Sequence, residues 1–308
     1  MHNENMEEIK SISMQNVTFS YKGKKRYVFE DFSVDIEPNH ITGIIGRNGQ
    51  GKTTLMNLIA GKFEPDEGII EIDGKNPVTD IGTAKRIIYV AGVMSYSEIK
   101  LKKIIEEYRL MYEKFDEEFA HKLMELFGLN KKAKIKNLSK GQETIFNFCC
   151  GMATRADITI LDEPVSGVDA ISRNKIYEII LRDYIEHPRT ILISSHLLSE
   201  MENILANICM IGAGQILYNG DVDEMKHKAF KVKGTRQQVT EFVKDKKVIF
   251  KQLCETNNIA VVEEDYNKTV MEEIKDKGLI AERLTAEEFY MYRTTVNLGE
   301  DLEKLWEK

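Results

Sequence analysis

The stretch Gly46-Arg47-Asn48-Gly49-Gln50-Gly51-Lys52-Thr53-Thr54 constrains this chain more than any other. It fits a glycine, four residues, then Gly-Lys-Ser/Thr, the pattern of a phosphate-binding loop. Ile41-Thr42-Gly43-Ile44-Ile45 ahead of it is short, β-branched and apolar, which predicts a buried strand. After it, Leu55, Leu58 and Ile59 recur at helical spacing and Gly61 offers a stop. A strand feeding a glycine loop that opens a helix gathers backbone N–H groups around one point, and the helix N-terminus adds partial positive charge there. Gly46 and Gly51 let the backbone come close to phosphate without a Cβ in the way. Lys52 is then placed to sit on β- and γ-phosphates, and the Thr53 hydroxyl to ligate Mg²⁺. An ordinary glycine-rich turn would carry similar residues; the strand and helix on either side favour a nucleotide.

Composition narrows the setting. With 308 residues the chain is long enough for a full α/β domain and a smaller second one. Hydrophobic content of 42% and charged content of 30% are ordinary for a soluble globular protein. A net charge of −7 gives no bulk basic character, so nucleic acid is not an expected partner. Cys149, Cys150, Cys209 and Cys254 lack zinc-like spacing and fit reduced, buried thiols of an intracellular protein. The first residues are polar and acidic, unlike a secretory signal. The uncharged stretch 203–220 is interrupted by Asn203, Asn207, Gly212, Gly214 and Asn219, which predicts a helix end, a strand, a turn and a strand.

Other stretches carry chemistry of their own. Residues 12–19 and 29–36 read as strands of an N-terminal antiparallel layer, joined through the turn at Tyr21-Lys22-Gly23-Lys24-Lys25. Tyr21 on that layer could stack on an adenine ring or be a plain surface or core tyrosine. Residues 69–72 and 87–90 are further short strands. Residues 99–127, free of Pro and Gly, predict a helical stretch with Leu123, Leu126 and Phe127 on its apolar face. In Leu138-Ser139-Lys140-Gly141-Gln142, Ser139 and Gln142 stand at capping-box spacing ahead of a helix over 143–152. Ile158-Thr159-Ile160-Leu161 predicts a buried strand ending in Asp162-Glu163-Pro164. Two carboxylates at such a strand end are costly unless something positive binds there. Asp162 would hold Mg²⁺ through water and Glu163 could polarise an attacking water; a polar turn set by Pro164 is the plainer alternative. His196 comes after a further β-rich strand, 190–193, at the end where an α/β sheet presents groups to ligand.

Together these stretches, over roughly residues 12–220, resemble the ATP-binding subunit of an ABC transporter. Leu138-Ser139-Lys140-Gly141-Gln142 is similar to that family's LSGGQ signature with Lys at its third position. Ile160-Leu161-Asp162-Glu163-Pro164 resembles its metal and catalytic-glutamate strand, Ser166-Gly167-Val168-Asp169 the loop that communicates across its dimer, and His196 its switch histidine. Tyr21 falls where the family stacks an aromatic on adenine. The resemblance implies an α/β P-loop NTPase fold with an N-terminal antiparallel β layer and a helical subdomain over about 93–155. It implies ATP and Mg²⁺ as cofactors, with Thr53 and Asp162 toward the metal and Gly46, Asn48, Gly49, Gly51, Lys52, Thr53, Thr54 and Tyr21 toward the nucleotide. Two ATPase subunits would close head to tail, so that each ATP also meets Ser139 and Gly141 of the other, with Gln142 and Asp169 counted among the nucleotide-binding residues. Glu163 would act on water, and His196 would hold the γ-phosphate. Polytopic membrane permease subunits would be driven by closure, with this chain on the cytoplasmic face of the membrane.

One departure concerns metal coordination. The family usually ends the strand at 87–90 with a glutamine, where Ala91-Gly92-Val93 stands here, and the sequence has no Gln between Gln50 and Gln142. Residues 229–308 share none of the motifs and read as a small α+β domain appended to an ATP-binding domain over 1–228. Two rival readings stay open: a soluble ABC ATPase acting on ribosomes or DNA, and a nucleotide-bound regulatory module. A single P-loop and the brevity of 99–127 count against the first. Glu163, Asp169 and His196 count against the second, and the missing glutamine for it.

Overall fold

Alternation and unbroken apolar runs sort the strands into two kinds of sheet. The computed structural model describes residues 8–91, 98–195, 198–253 and 258–294. It divides into two units, Met1–Asn219 and Gly220–Lys308. Strands in chain order are β1 (Ile12–Phe19), β2 (Phe29–Ile36), β3 (Ile41–Ile45), β4 (Glu67–Ile72), β5 (Ile87–Val90), β6 (Ile158–Asp162), β7 (Thr190–Ser194), β8 (Asn207–Gly212) and β9 (Gln215–Asp221). Helices are α1 (Lys52–Ile59), α2 (Ile81–Lys85), α3 (Leu101–Met111), α4 (Glu117–Leu126), α5 (Lys140–Ala153), α6 (Ala170–Glu186) and α7 (Leu198–Met201).

On β2, Phe29, Phe32, Val34 and Ile36 are buried while Glu30, Ser33 and Asp35 face out, the signature of a sheet covered on one face. It joins an antiparallel sheet in the order β2-β1-β4. By contrast β3 and β7 are buried at every residue, as a parallel strand covered on both faces must be. They lie in a six-stranded sheet ordered β5-β6-β7-β3-β8-β9, with parallel pairing from β5 through to β8. One apolar cluster draws Ile12 and Phe29 from the first sheet, Leu55, Leu58 and Ile59 from α1, and Ile44, Ile160 and Leu192 from the second. Burying each such side chain is worth roughly 1.5–3 kcal/mol. The helix after the glycine loop is thus fixed by both sheets.

The helical stretch predicted over 99–127 is two helices, α3 and α4. Asp116 makes the break: its carboxylate accepts the Phe119 N–H at 2.8 Å and starts α4, and its own N–H donates to the Ala153 carbonyl of α5 at 2.8 Å. α3 ends at Met111, and an aspartate cap starts a new helix in a stretch that no Gly or Pro interrupts. Residues 203–220 form a short 3₁₀ turn, β8, a turn at Ala213-Gly214 and β9. Among the described residues no helix is long and apolar enough to cross a membrane. Cys149, Cys150 and Cys209 are buried free thiols, that of Cys209 pushed up to about 12 by burial; Cys254 lies outside the described residues.

The second unit begins with α8 (Val222–His227), then β10 (Ala229–Gly234), α9 (Arg236–Phe242), β11 (Val248–Leu253), β12 (Asn258–Glu263), α10 (Lys268–Asp276), β13 (Ile280–Arg283) and α11 (Ala286–Thr294). Its antiparallel sheet runs β11-β12-β10-β13, so β10 to β13 take the βαββαβ course of a ferredoxin-like unit. Phe230, Val232, Val239, Phe242, Val262 and Ile274 form its core. Neither α8 nor β13 is legible from sequence; β13 is only four residues long and none of them is buried.

Candidate nucleotide-binding site

The central strands end side by side. Ile44 of β3 and Asp162 of β6 are both in register with Ser194 of β7. The segments leaving these strands therefore gather at one edge: the glycine loop, Glu163, and Ser195. The carboxyl edge of an open α/β sheet is where such folds bind ligands.

Gly51 closes the loop and stands at the N-cap of α1 with φ of +105°. A Cβ there would lie 2.7 Å from the Phe29 ring, so both the backbone and the space require glycine. Asn48 and Gly49 form an exposed crest. Lys52 turns back under it, and its Nζ donates to the carbonyl of Gly46 at 2.7 Å and of Arg47 at 3.4 Å. Burial lowers the Lys52 pKa, while Glu163 and Asp162 act against that shift. A buried cation is thus held within the field of both carboxylates. Thr53 is exposed on the first turn of α1 and Thr54 is buried. The Thr54 hydroxyl shares a hydrogen bond of 2.9 Å with that of Tyr21, whose ring meets Phe19 and Phe63 edge-on.

Both oxygens of Asp162 are held. Oδ1 accepts the Ser194 hydroxyl at 2.5 Å, and Oδ2 accepts the Tyr89 hydroxyl at 2.7 Å. Ser194 Oγ in turn accepts the Glu163 N–H at 2.9 Å. Glu163 itself sits at φ of +50°, a left-handed conformation that costs a non-glycine residue roughly 1–3 kcal/mol and gathers at functional sites. The hydroxyl of Thr53 and the carboxylate of Asp162 are hard oxygen donors of the class Mg²⁺ takes. Among the described residues no group of three or more His, Cys, Asp or Glu could cage a metal. Mg²⁺ keeps several waters and needs only one or two protein oxygens beside phosphate.

Tyr89 was not legible as a site residue, since in Ile87–Val90 it reads as one more strand residue. Pairing of Tyr89 with Ile160 and of Val90 with Leu161 brings it close to Asp162. Its hydroxyl also accepts from Asn57 Nδ2 at 3.3 Å, and the Lys62 ammonium lies 3.6 Å over its ring. Burial first, and Asp162 second, push the Tyr89 phenol well above the ordinary tyrosine range.

A second cluster forms around Ser139. The capping box is complete: Gln142 N–H donates to Ser139 Oγ at 3.2 Å and Ser139 N–H to Gln142 Oε1 at 3.0 Å. A Cβ on Gly141 would stand 2.4 Å from the Gly167 carbonyl, so only glycine lets α5 approach that turn. Thr144 Oγ1 donates toward the Ser166 carbonyl at 3.1 Å. Asp169 caps α6 through the Ser172 N–H at 3.0 Å, which holds its carboxyl below the usual range. Ser139, Gly141, Gln142 and Asp169 thus gather around the 166–169 turn. Among the described residues, no hydrogen bond or ion pair joins them to the glycine loop. His196 and Gly92, with the loop that lacks glutamine, lie outside the described residues.

A family model described as ABC transporter matches residues 29–166. The ABC transporter ATP-binding protein YtrB of Bacillus subtilis is 31% identical over 206 residues, 67% of this chain and 70% of YtrB. NatA, an ABC transporter ATP-binding protein of the same organism, is 26% identical over 70% of this chain and 91% of its own. Nod factor export ATP-binding protein I of Rhizobium leguminosarum is 28% identical over 68% and 69%. A solved structure of an ATP-binding subunit of an ABC transporter superposes with a TM-score of 0.63 at 21% identity, covering 70% of this chain and 92% of that one. At that identity the likeness concerns the fold.

Proposed function

Since the chain belongs to the ABC transporter family of ATP-binding proteins, we propose that it is the ATP-hydrolysing motor subunit of a membrane exporter. The observation that carries this reading is the buried Lys52 lodged in its own glycine loop beside Asp162 and Glu163. A cation and backbone N–H groups at a helix N-terminus suit polyphosphate, and carboxylates beside them suit metal and water. ATP would be held by Gly46, Asn48, Gly49, Gly51, Lys52, Thr53 and Thr54, with Tyr21 against adenine. Bound Mg²⁺ would neutralise developing charge on the phosphates, with Thr53 and Asp162 as its protein-side oxygens. Glu163 would take a proton from the attacking water, and His196 would sense the γ-phosphate.

The resemblance of Leu138-Ser139-Lys140-Gly141-Gln142 to the family signature supports a head-to-tail dimer, in which Ser139, Gly141, Gln142 and Asp169 serve the nucleotide of a second ATPase subunit. The helix that Ser139 caps would then aim its N-terminus at that γ-phosphate. Export is favoured by the relative named for Nod factor export. Because cargo and membrane contacts fall to other subunits, polytopic permease partners complete the machine and hold this chain at the cytoplasmic face. Purification of the tagged chain from detergent-solubilised membranes should bring down a multi-spanning protein and an ATPase activity that tracks transport. Recovery of the chain alone, with no membrane partner, would count for a soluble ATPase or a regulatory module instead.

Ser139→Arg should leave ATP affinity of the isolated subunit within about twofold while abolishing ATP-dependent dimerisation, because a long cation on an exposed cap blocks closure without touching Lys52. Equilibrium binding and a sizing column check this, and weakened binding by the monomer would sink the arrangement across two subunits. At Gly92, where the family's glutamine is missing, a mobile water positions the nucleophile less well than a fixed amide. Gly92→Gln should therefore raise basal phosphate release at saturating MgATP with little change in ATP affinity. Equal turnover of both proteins would mean that another residue already fills the role.

A further inference from the structure

Asp162 is gripped by a residue that belongs to no nucleotide-binding motif. Its two oxygens are divided between Ser194, at 2.5 Å, and Tyr89, at 2.7 Å. The Tyr89 hydroxyl donates to the carboxylate and accepts from Asn57 Nδ2 at 3.3 Å. Asn57 Nδ2 also donates to the Thr53 carbonyl at 2.7 Å. A continuous path of hydrogen bonds therefore runs from the first turn of α1, through Asn57 and Tyr89, to the carboxylate at the end of β6. Thr53 and Asp162, the two residues proposed to face Mg²⁺, are its two ends. The phenol ring is itself fixed, half-buried beneath the Lys62 ammonium.

We infer that Tyr89 is a positioning residue for the metal: its hydroxyl sets the plane of the Asp162 carboxylate relative to Thr53 and so sets how tightly the site takes Mg²⁺ with nucleotide. The inference rests on the proposed role of Asp162 toward the metal. A carboxylate gripped at one oxygen alone can swing about its terminal torsion, which is broad and soft. With Tyr89 in place, the second oxygen is anchored to the same helix that carries Thr53. Groups that orient a metal ligand from behind are worth about 10–100-fold in metal affinity. Tyr89→Phe removes the hydroxyl while keeping the ring and its contact with Lys62, so it isolates this effect from packing.

The test uses the full chain and a fluorescent ATP analogue, titrated once in EDTA and once against increasing Mg²⁺. In Tyr89→Phe the metal-free affinity should stay within about twofold of the parent, and the Mg²⁺ concentration for half-maximal binding enhancement should rise by about 10–100-fold. A half-maximal concentration unchanged within about twofold overturns the inference. So does an equal loss of affinity with and without metal, which would mark Tyr89 as a structural tie. If the parent itself shows no Mg²⁺-dependent binding, the role of Asp162 fails first, and the two failures are told apart. Should Tyr89→Phe fail to fold, Asn57→Ala takes its place, with a shift in the same direction expected from loss of the amide that orients the phenol.

Discussion

Glu163→Gln should bind MgATP as the parent does and hydrolyse it roughly 10²–10⁴-fold more slowly, the loss typical of a missing general base. The substitution is close to isosteric and leaves the backbone contacts of the site in place. The N–H of residue 163 donates to Ser194 Oγ and its carbonyl accepts the Ser166 N–H, and glutamine keeps both. Asp162 retains both of its donors, Ser194 and Tyr89. What is removed is the ability to accept a proton, together with the negative charge that Glu163 holds near Lys52. Residue 163 stays in its left-handed conformation, which gives the side chain its direction. If the γ-phosphate holds two subunits together until it is cleaved, the variant should also persist as a dimer with ATP on a sizing column while the parent does not. Single-turnover phosphate release gives the rate of the chemical step directly. A variant that cleaves ATP at the parental rate would move the base to another residue.

The sequence made local chemistry legible. The glycine loop announces itself because a strand, a turn and a helix must each carry their own residues at fixed spacing, and Gly51 at φ of +105° is such a residue. The capping box at Ser139 and Gln142 is equally local, four residues wide, and forms as the spacing predicts. β2 betrays its one-sided burial through alternation, and β3 its two-sided burial through an unbroken apolar run. Non-local pairings were not legible. Nothing in Ile87–Val90 distinguishes Tyr89 from a core tyrosine, because its partner Asp162 lies 73 residues away and only the β5–β6 register joins them. The break between α3 and α4 escaped for a related reason. Asp116 is one acid in a charged run, and what sets it apart as the start of a second helix is the pin of its N–H to Ala153 on another helix. Pairing of β13 with β10 is what makes a strand of Ile280–Arg283, and the partners are separated by the whole of the second unit's core.

Lys52→Met should nearly abolish nucleotide binding while leaving the fold of the empty protein intact, and the two halves of that statement have separate causes. Lys52 is only 6% exposed, and its burial works against the charge it carries. The ammonium is tied to the carbonyls of Gly46 and Arg47. Methionine fills the same stem volume and relieves the cost of burying a charge, but it leaves the Gly46 and Arg47 carbonyls without this donor, which costs about 1–3 kcal/mol. The melting temperature without ligand should therefore fall by only several degrees, at roughly 2–4 °C per kcal/mol in a chain of this size. With ATP the balance reverses. Polyphosphate brings negative charge into a site that already holds Asp162 and Glu163, and no second buried lysine stands in the loop. Truncating one side of a buried charge pair costs about 2–5 kcal/mol, which is about 30- to 5,000-fold in affinity. Saturating MgATP should raise the melting temperature of the parent through mass action, and the rise should disappear in Lys52→Met at the same ligand concentration. An equal ligand-induced shift in both proteins would show that the phosphates are held by the loop backbone alone, and the role given to this lysine would fall.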